Sequence, residues 1–244
     1  LGIMKAADEV ILGKHDSEFV VDIFQTGSGT STNMNVNEVI ATLANKFTKG
    51  RTKVHPNDHV NLCQSSNDVI PTAMHISTYS LILTTLIPNL KILEKELLKK
   101  ATKFNKIFKI GRTHLQDATP ITLGQEFEGY ASMVAKSIKF VSEASRNLSE
   151  LAQGGTAVGT GINSHPKFGK KVSTVISKKV GIKFNEAKNH FEAQASKDAI
   201  VLTSGALKTL ATSLMKIAND IRWLGSGPRC GFGEISLPAI QPGS

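Results

Sequence analysis

The sequence predicts an all-α protein, an elongated bundle of long helices. Apolar residues recur three and four positions apart over long stretches, which is the spacing of one helix face. Strictly alternating polar and apolar stretches, which would indicate half-buried strands, are nearly absent. The chain has 244 residues, 40% of them hydrophobic, so it can form one large domain or two unequal ones.

The first long helix is predicted from Asp68 to about Phe104. At about 1.5 Å per residue it would be on the order of 50 Å long. Pro88 should kink it, because proline lacks the amide that an interior helical position needs. The apolar stripe consists of Ile82, Leu86, Leu90, Leu93 and Leu97.

Three further helices follow. The second long helix is predicted over residues 119–152, opened by a threonine cap and a proline and ended by paired glycines after Gln153. A short helix begins near Pro166, and the last runs over residues 193–224. The cleanest apolar stripe belongs to that last helix. It comprises Leu207, Leu210, Leu214, Ile217, Ile221 and Leu224.

The amino-acid composition indicates which binding partners and which cellular compartment to expect. The net charge is +9, but lysines are scattered in short pairs and aromatics make up only 6%, so no stacking platform for nucleic acid is evident. A basic balance favours the approach of small anions. Cys63 and Cys230 form no disulfide framework and have no metal-ligand spacing, which predicts a reducing compartment and no metal. No other cofactor is expected. No signal peptide or membrane span is evident, so we expect a soluble protein.

Four clusters of polar residues lie between the predicted helices or at their ends. The first, residues 25–35, reads QTGSGTSTNMN and lacks both the lysine of a phosphate loop and the strand of a dinucleotide fingerprint. Its glycines and hydroxyls, ahead of a helix predicted near Asn33, suit a small anion, although an ordinary capped turn explains the loop equally well.

The other clusters are residues 54–59 (VHPNDH), 64–68 (QSSND) and 111–120 (GRTHLQDATP). The QSSND cluster sits where the first long helix begins, and its donors favour a carboxylate. A single histidine such as His55 or His114 is more often a surface or structural residue than a catalytic one. Histidine is nevertheless suited to proton transfer near neutral pH.

The four clusters together resemble the fumarase/aspartase superfamily, and within it the metal-independent class II fumarate hydratases. The resemblance runs through TGSGTSTNMNVNEVIA, VHPNDHVN, SSNDVIPTAMHI, GRTHLQDATPITLGQEF, GGTAVGTGIN and GSGPRCGFGEISLPAIQPGS in that order. The histidine of GRTHLQDA favours fumarases, since the corresponding aspartase motif resembles GRTQLQDA. Relatives continue beyond Ser244, so the sequence is interpreted as an internal fragment lacking both ends.

The resemblance implies site residues and a division into domains. His114 would be the catalytic histidine, and Ser244 would align with the general base of a flexible loop. Residues 1–64 would be the last part of a smaller N-terminal domain, and residues 65–244 a long-helix domain incomplete at its C-terminal side. The substrate carboxylates would be bound by Ser28, Gly29, Thr30, Ser65, Ser66, Asn67 and Thr113. A second, non-catalytic dicarboxylate site would comprise His55, Pro56, Asn57 and Asp58.

By resemblance, the function is the reversible hydration of fumarate to L-malate in the tricarboxylic acid cycle, by a homotetramer whose active sites are shared between subunits. No nucleic-acid or membrane partner is expected. The expected location is the cytoplasm, or the mitochondrial matrix in a eukaryote. The alternatives are an aspartate ammonia-lyase, a non-catalytic helical assembly protein of the same fold and, more distantly, a nucleic-acid-binding bundle.

Overall fold

The computed structural model describes residues 1–49 and 51–241, and helices dominate this part of the chain. The predicted all-α class is confirmed. The α-helices are α1 (Gly2–Ile11), α2 (Thr30–Thr48), α3 (Ser66–Leu81), α4 (Ile87–Phe104), α5 (Leu123–Ser145), α6 (Phe168–Val180), α7 (His190–Ala195) and α8 (Asp198–Leu224). Short 3-10 helices cover Asp16–Glu18 and Arg146–Ser149, and π-helical turns cover Pro56–Val60 and Ile82–Leu86.

Strands form two small sheets in the described residues. Strands β1 (Phe108–Thr113) and β2 (Gln116–Thr122) make an antiparallel hairpin. Strands β3 (Glu150–Leu151) and β4 (Asn185–Glu186) make a short parallel pair.

The chain divides into two compact units. Unit 1 comprises Leu1–Ser80 and Asn147–Asp198, and unit 2 comprises Leu81–Arg146 and the chain from Ala199 onward. These limits follow chain contacts, whereas the predicted boundary at residue 64 followed a change in composition. That boundary stays a prediction.

Unit 1 contains a small core between α1 and α2. Ala6 packs there with Ala41 and Ala44, and all three are buried. Alanine side chains allow two helices to approach closely. Leu43 and Val54 complete the buried set.

The core of unit 2 lies between α4, α5 and α8. From the predicted stripes, Leu90 and Leu97 of α4 are buried, and so are Leu210 and Ile217 of α8. The glycine at position 124 permits the close contact of α5 with α4, because a Cβ there would lie 2.5 Å from the backbone oxygen of Ala101.

The predicted start of the second long helix is wrong. Thr119 and Pro120 lie in β2, where Pro120 pairs with Ile110 of β1. The helix begins at Leu123, and Thr122 caps it through a reciprocal pair of hydrogen bonds with Gln125.

The ends of other predicted helices also differ. Helix α5 ends at Ser145, not near residue 152, because a 3-10 turn and β3 follow. The predicted last helix is two helices, α7 and α8, separated at Ser196, whose backbone is extended. In the first long helix the predicted disturbance at Pro88 is a π-helical turn over Ile82–Leu86. Pro88 has no backbone amide to donate the hydrogen bond of a regular α-helix, and the π-helical turn accommodates this missing bond.

By length and composition, two helical stretches are long and apolar enough to cross a membrane, namely Ser66–Phe104 and Asp198–Leu224. No membrane span is predicted from the sequence. Core helices pass the same test, so two such stretches are weak evidence for a membrane.

Candidate functional site

The first polar cluster of unit 1 is a tight turn into helix α2. Gln25 closes it, since its side chain accepts from the Thr32 amide at 3.2 Å and donates to the Thr32 hydroxyl at 2.7 Å. Gly29 precedes the first helical residue with a φ of +66°. A Cβ at Gly29 would lie 2.8 Å from Cγ1 of Ile70, so only glycine fits without displacement. The helix begins at Thr30, three residues before the predicted Asn33.

Four hydroxyl groups join this turn to the start of helix α3. Thr26 contacts Ser28 at 3.1 Å, Ser28 contacts Thr30 at 3.2 Å, and Thr30 contacts Ser66 at 3.0 Å between side-chain oxygens. Ser66 is the first residue of α3. The starts of two long helices, each with a positive dipole end, therefore meet at a cluster of neutral donors.

Asp68 organises this region, although sequence reasoning assigned it no role. Its carboxylate is fully buried and accepts from the Ser65 amide at 2.9 Å, the Gly154 amide at 3.1 Å and the Thr156 amide at 2.9 Å. Burial raises its pKa, and the three amide donors oppose that rise only partly. The signal in the sequence was Ser65-x-x-Asp68, the spacing of a capping box.

Two clefts in unit 1 contain the predicted carboxylate-binding residues. One, of about 520 Å³, is lined by Ser28, Ser66 and Asn67, together with Lys197. Asn67 is held by a 2.8 Å bond from its side-chain amide to the oxygen of Ala157. The other, of about 300 Å³, has only uncharged residues in its lining. These are Thr30, Asn33, Met34, Asn61, Cys63, Gln64, Ser65, Ser66, Thr156, Ala157, Ile162 and Asn163.

The predicted second dicarboxylate site is an exposed π-helical turn in unit 1. His55 caps it, and Nδ1 of His55 accepts from the Asp58 amide at 3.3 Å. An Asp58 carboxylate oxygen lies 3.3 Å from the same nitrogen, so the two side chains form an ion pair only when the imidazole is protonated. Pro56 and Asn57 occupy the first two positions of the turn.

Thr113 and His114 lie in unit 2, at the tip of the β1–β2 hairpin. Thr113 pairs with Gln116, leaving His114 and Leu115 as a two-residue turn with φ values of +53° and +62°. Two positive φ values are typical of the type I′ turn, which normally favours asparagine and glycine. A histidine and a leucine in that conformation are strained, and such strain is often found at functional sites. The imidazole is exposed.

A charged network supports this hairpin. Nζ of Lys109, which is only 7% exposed, lies 2.5 Å from Glu126 and 2.6 Å from Glu234. Arg112, adjacent to Thr113, forms an ion pair with the same Glu234. Burial alone would raise the pKa of Glu234, but its bonds to Arg112 and Lys109 lower the pKa overall. Within unit 2 the network borders a cleft of about 580 Å³ that includes Thr113 and His114.

The structure thus groups Ser28, Thr30, Ser65, Ser66 and Asn67 within unit 1, with Gly29 at the turn between them. Thr113 and His114 lie together in unit 2. Ser244, the predicted general base, lies outside the described residues. Among residues 1–49 and 51–241, no three or more histidine, cysteine, aspartate or glutamate side chains are arranged to hold a metal ion.

Comparison with known proteins gives a consistent set of relatives. A family model described as Lyase matches residues 2–244. The protein named fumarate hydratase class II from Nitrosomonas europaea is 56% identical over 247 residues, covering 99% of this chain and 53% of that protein. The one from Thermosynechococcus vestitus is 55% identical over 246 residues, again covering 99% and 53%. The chain therefore spans about half the length of these relatives.

Solved structures similar to this chain belong to proteins with related names. A class II fumarase from Schistosoma mansoni superimposes with a TM-score of 0.96 at 42% identity, covering 100% of this chain and 55% of that one. A fumarate lyase:delta crystallin from Brucella melitensis, bound to cobalt, gives a TM-score of 0.90 at 43% identity, covering 100% and 54%. Since the family model extends over nearly every residue, the chain belongs to this lyase family.

Proposed function

We propose that the natural full-length protein is a class II fumarate hydratase, which converts fumarate and water to L-malate and back. The observation that carries this proposal is the contact between Thr30 and Ser66, at 3.0 Å between side-chain oxygens. It joins the first residues of two long helices. Relatives named fumarate hydratase class II at 56% and 55% identity support the same activity.

The donors suit the charge that this reaction develops. Dehydration of malate removes a proton from the carbon next to a carboxylate, so that carboxylate takes up additional negative charge as the carbanion forms. Hydroxyls, backbone amides and helix starts that are already oriented stabilise such charge without rearranging during the reaction. The hydroxyl groups of Ser28, Thr30 and Ser66 and the amide group of Asn67 supply donors of this kind in unit 1.

The proposal assigns the proton transfers to His114 and, by family resemblance, to Ser244. In the proposed dehydration a base removes the C3 proton of malate, the carbon–oxygen bond at C2 breaks, and the departing hydroxide takes a proton and leaves as water. By family resemblance Ser244 is the base, and His114 supplies the proton through a water molecule. The position of His114 at the tip of a strained turn, with its ring exposed, supports a role for it at a substrate.

The second dicarboxylate site at residues 55–58 belongs to the same proposal. A protonated His55 would attract a carboxylate in competition with Asp58, whose side chain is 74% exposed and therefore free to turn away. Such a site would bind substrate or product without converting it.

We also propose a homotetramer with shared active sites, located in the cytoplasm or, in a eukaryote, the mitochondrial matrix. Long helix α8 supports the assembly, because it carries large apolar side chains that a single chain leaves in contact with solvent. Val201 is 65% exposed, Met215 is 67% exposed and Trp223 is 50% exposed. Burial of such residues against other copies is the usual source of stability for an obligate oligomer.

The test is a product assay on the natural full-length protein. Fumarate is supplied with and without ammonium, and the product is identified by NMR. We expect malate under both conditions, and we expect its formation to be lost in His114→Asn but kept in the control His15→Asn, since His15 lines neither the two clefts of unit 1 nor the cleft of unit 2 that contains His114. Aspartate formed only with ammonium would instead identify an ammonia-lyase. Sedimentation of the same sample tests the tetramer.

A further inference from the structure

Thr156 combines three unusual features. It is a β-branched residue with a φ of +56°, a backbone conformation that such residues rarely adopt. Its side chain is only 4% exposed. Its hydroxyl oxygen has no hydrogen-bond partner among residues 1–49 and 51–241, although buried hydroxyls are normally paired.

Two neighbours hold Thr156 in this conformation. Its amide donates to the buried carboxylate of Asp68 at 2.9 Å, and its carbonyl oxygen accepts from the side-chain amide of Gln194 at 2.7 Å. Both the amide and the carbonyl group of Thr156 are therefore fixed by hydrogen bonds. A strained residue that its surroundings fix so closely is typical of a position where conformation serves binding.

Thr156 is one of the residues that line the smaller cleft of unit 1, together with Thr30, Ser65 and Ser66. The lining contains hydroxyl and amide groups and no charged side chain. The starts of α2 and α3 add positive dipole ends. Neutral donors and helix starts, without a fixed anion beside them, suit a carboxylate.

We propose that the hydroxyl of Thr156 is a further hydrogen-bond donor to a carboxylate of a small dicarboxylate bound in this cleft. The inference rests on the proposed function, since it concerns the same substrate class and the same hydroxyl cluster. Rotation about the Cα–Cβ bond from one staggered rotamer to the next can bring the hydroxyl to the position that the methyl group or the hydrogen held before, so the hydroxyl can turn to the ligand without backbone movement. The bound carboxylate supplies the acceptor that the protein does not.

The chain offers a matched control. Thr72, on α3, is also 4% exposed and its hydroxyl also lacks a partner among the described residues, but it lines neither cleft. The variants Thr156→Val and Thr72→Val make the same chemical change at the same burial. Thr156→Ser keeps the hydroxyl and removes only the methyl group.

The experiment measures succinate binding to the natural full-length protein by calorimetry. A hydrogen bond to a charged group corresponds to a change of roughly 10-fold to 100-fold in affinity. We expect Thr156→Val to weaken succinate binding by that factor, Thr72→Val to stay within about twofold of the parent, and Thr156→Ser to stay within about threefold. Thr156→Val should also unfold at the same or a higher temperature without succinate, because it removes an unpaired buried hydroxyl.

The outcomes separate this inference from the proposed function. Parent-like succinate binding by Thr156→Val overturns the inference even if the full-length protein makes malate. Equal losses in Thr156→Val and Thr72→Val also overturn it, because the loss would then reflect a general effect on the fold. Selective loss in Thr156→Val, in a protein that does not hydrate fumarate, supports the inference and overturns the proposed function.

Discussion

Asp68 is predicted to be the residue of unit 1 whose loss is most costly, because one carboxylate serves three backbone amides. They belong to Ser65 at the start of α3 and to Gly154 and Thr156 in the loop after β3. Replacement by alanine would leave all three donors without that acceptor, in a position with no solvent exposure.

The magnitude follows from the number of donors. Each buried donor left unpaired costs about 1–3 kcal/mol, so three adjacent donors would cost about 3–9 kcal/mol if the costs were additive. Neighbouring losses are not additive and water can enter the space, so we expect about 3–5 kcal/mol for Asp68→Ala. In Asp68→Asn the amide oxygen still accepts from Gly154 and Thr156, while its nitrogen faces the Ser65 amide. We expect about 1–3 kcal/mol for this variant.

The pH dependence has a definite sign. Burial raises the pKa of Asp68 above its ordinary value of 3.8, so the folded chain keeps this proton at a pH where the unfolded chain has lost it. The free energy of unfolding contributed by the group is then largest below the unfolded pKa and is lost as pH rises through the folded pKa. Asp68→Asn should remove this dependence.

The assay is denaturant unfolding of the full-length protein at one fixed concentration, with hydrogen exchange at residues 154 and 156 as a local readout. The control is Asp8→Ala, which removes an exposed carboxylate 3.4 Å from Lys179 and should cost less than about 0.5 kcal/mol. A cost for Asp68→Ala no larger than that of the control would refute the reasoning. Equal costs for Asp68→Asn and Asp68→Ala would show that the number of donors is not the cause.

Three further predictions concern unit 2. The pKa of Glu234 lies below its ordinary value of 4.5, so its contribution to the free energy of unfolding is present above pH 4.5 and is lost as pH falls through the folded pKa. Glu234→Gln should therefore weaken the loss of stability at acid pH, as measured by unfolding followed by circular dichroism. Gly124→Ala should lower the melting temperature, since its Cβ would meet a backbone oxygen at 2.5 Å, whereas Gly129→Ala on the same helix meets nothing within 4 Å and should raise stability by about 1 kcal/mol. Leu115→Gly should stabilise the hairpin by about 1 kcal/mol in denaturant unfolding, because glycine adopts a φ of +62° without strain; an unchanged midpoint would argue against strain in this turn.

The helices of unit 2 were the part of the fold most readily predicted, because their apolar stripes are set by local periodicity. Leu90 and Leu97 are buried as the spacing predicts. The β1–β2 hairpin was missed because Thr119-Pro120 has the local signature of a helix start. Pairing of Pro120 with Ile110 overrides that signature, and the capping residue is Thr122.

Residue type alone singles out the donors of the candidate site, whereas only the family resemblance predicts that they act together. Thr30 and Ser66 are 36 positions apart, and no local pattern predicts that their hydroxyls touch. Asp68 was within reach of prediction through its capping-box spacing from Ser65. The backbone conformation of Thr156 cannot be predicted from local sequence, because it depends on hydrogen bonds to Asp68 and Gln194, both far from Thr156 in sequence.

The row of hydroxyls from Thr26 through Ser28 and Thr30 to Ser66 has a direction as well as a position. Each hydroxyl carries one proton, so three contacts among four groups engage three protons and leave one for a ligand. The free proton can lie on any of the four hydroxyls, according to which group donates in each contact, and it lies on Ser66 only when all three bonds run toward Ser66. An anion at the Ser66 end would therefore align the whole row toward itself, and the geometry of a distant residue such as Thr26 would affect how strongly that anion is held.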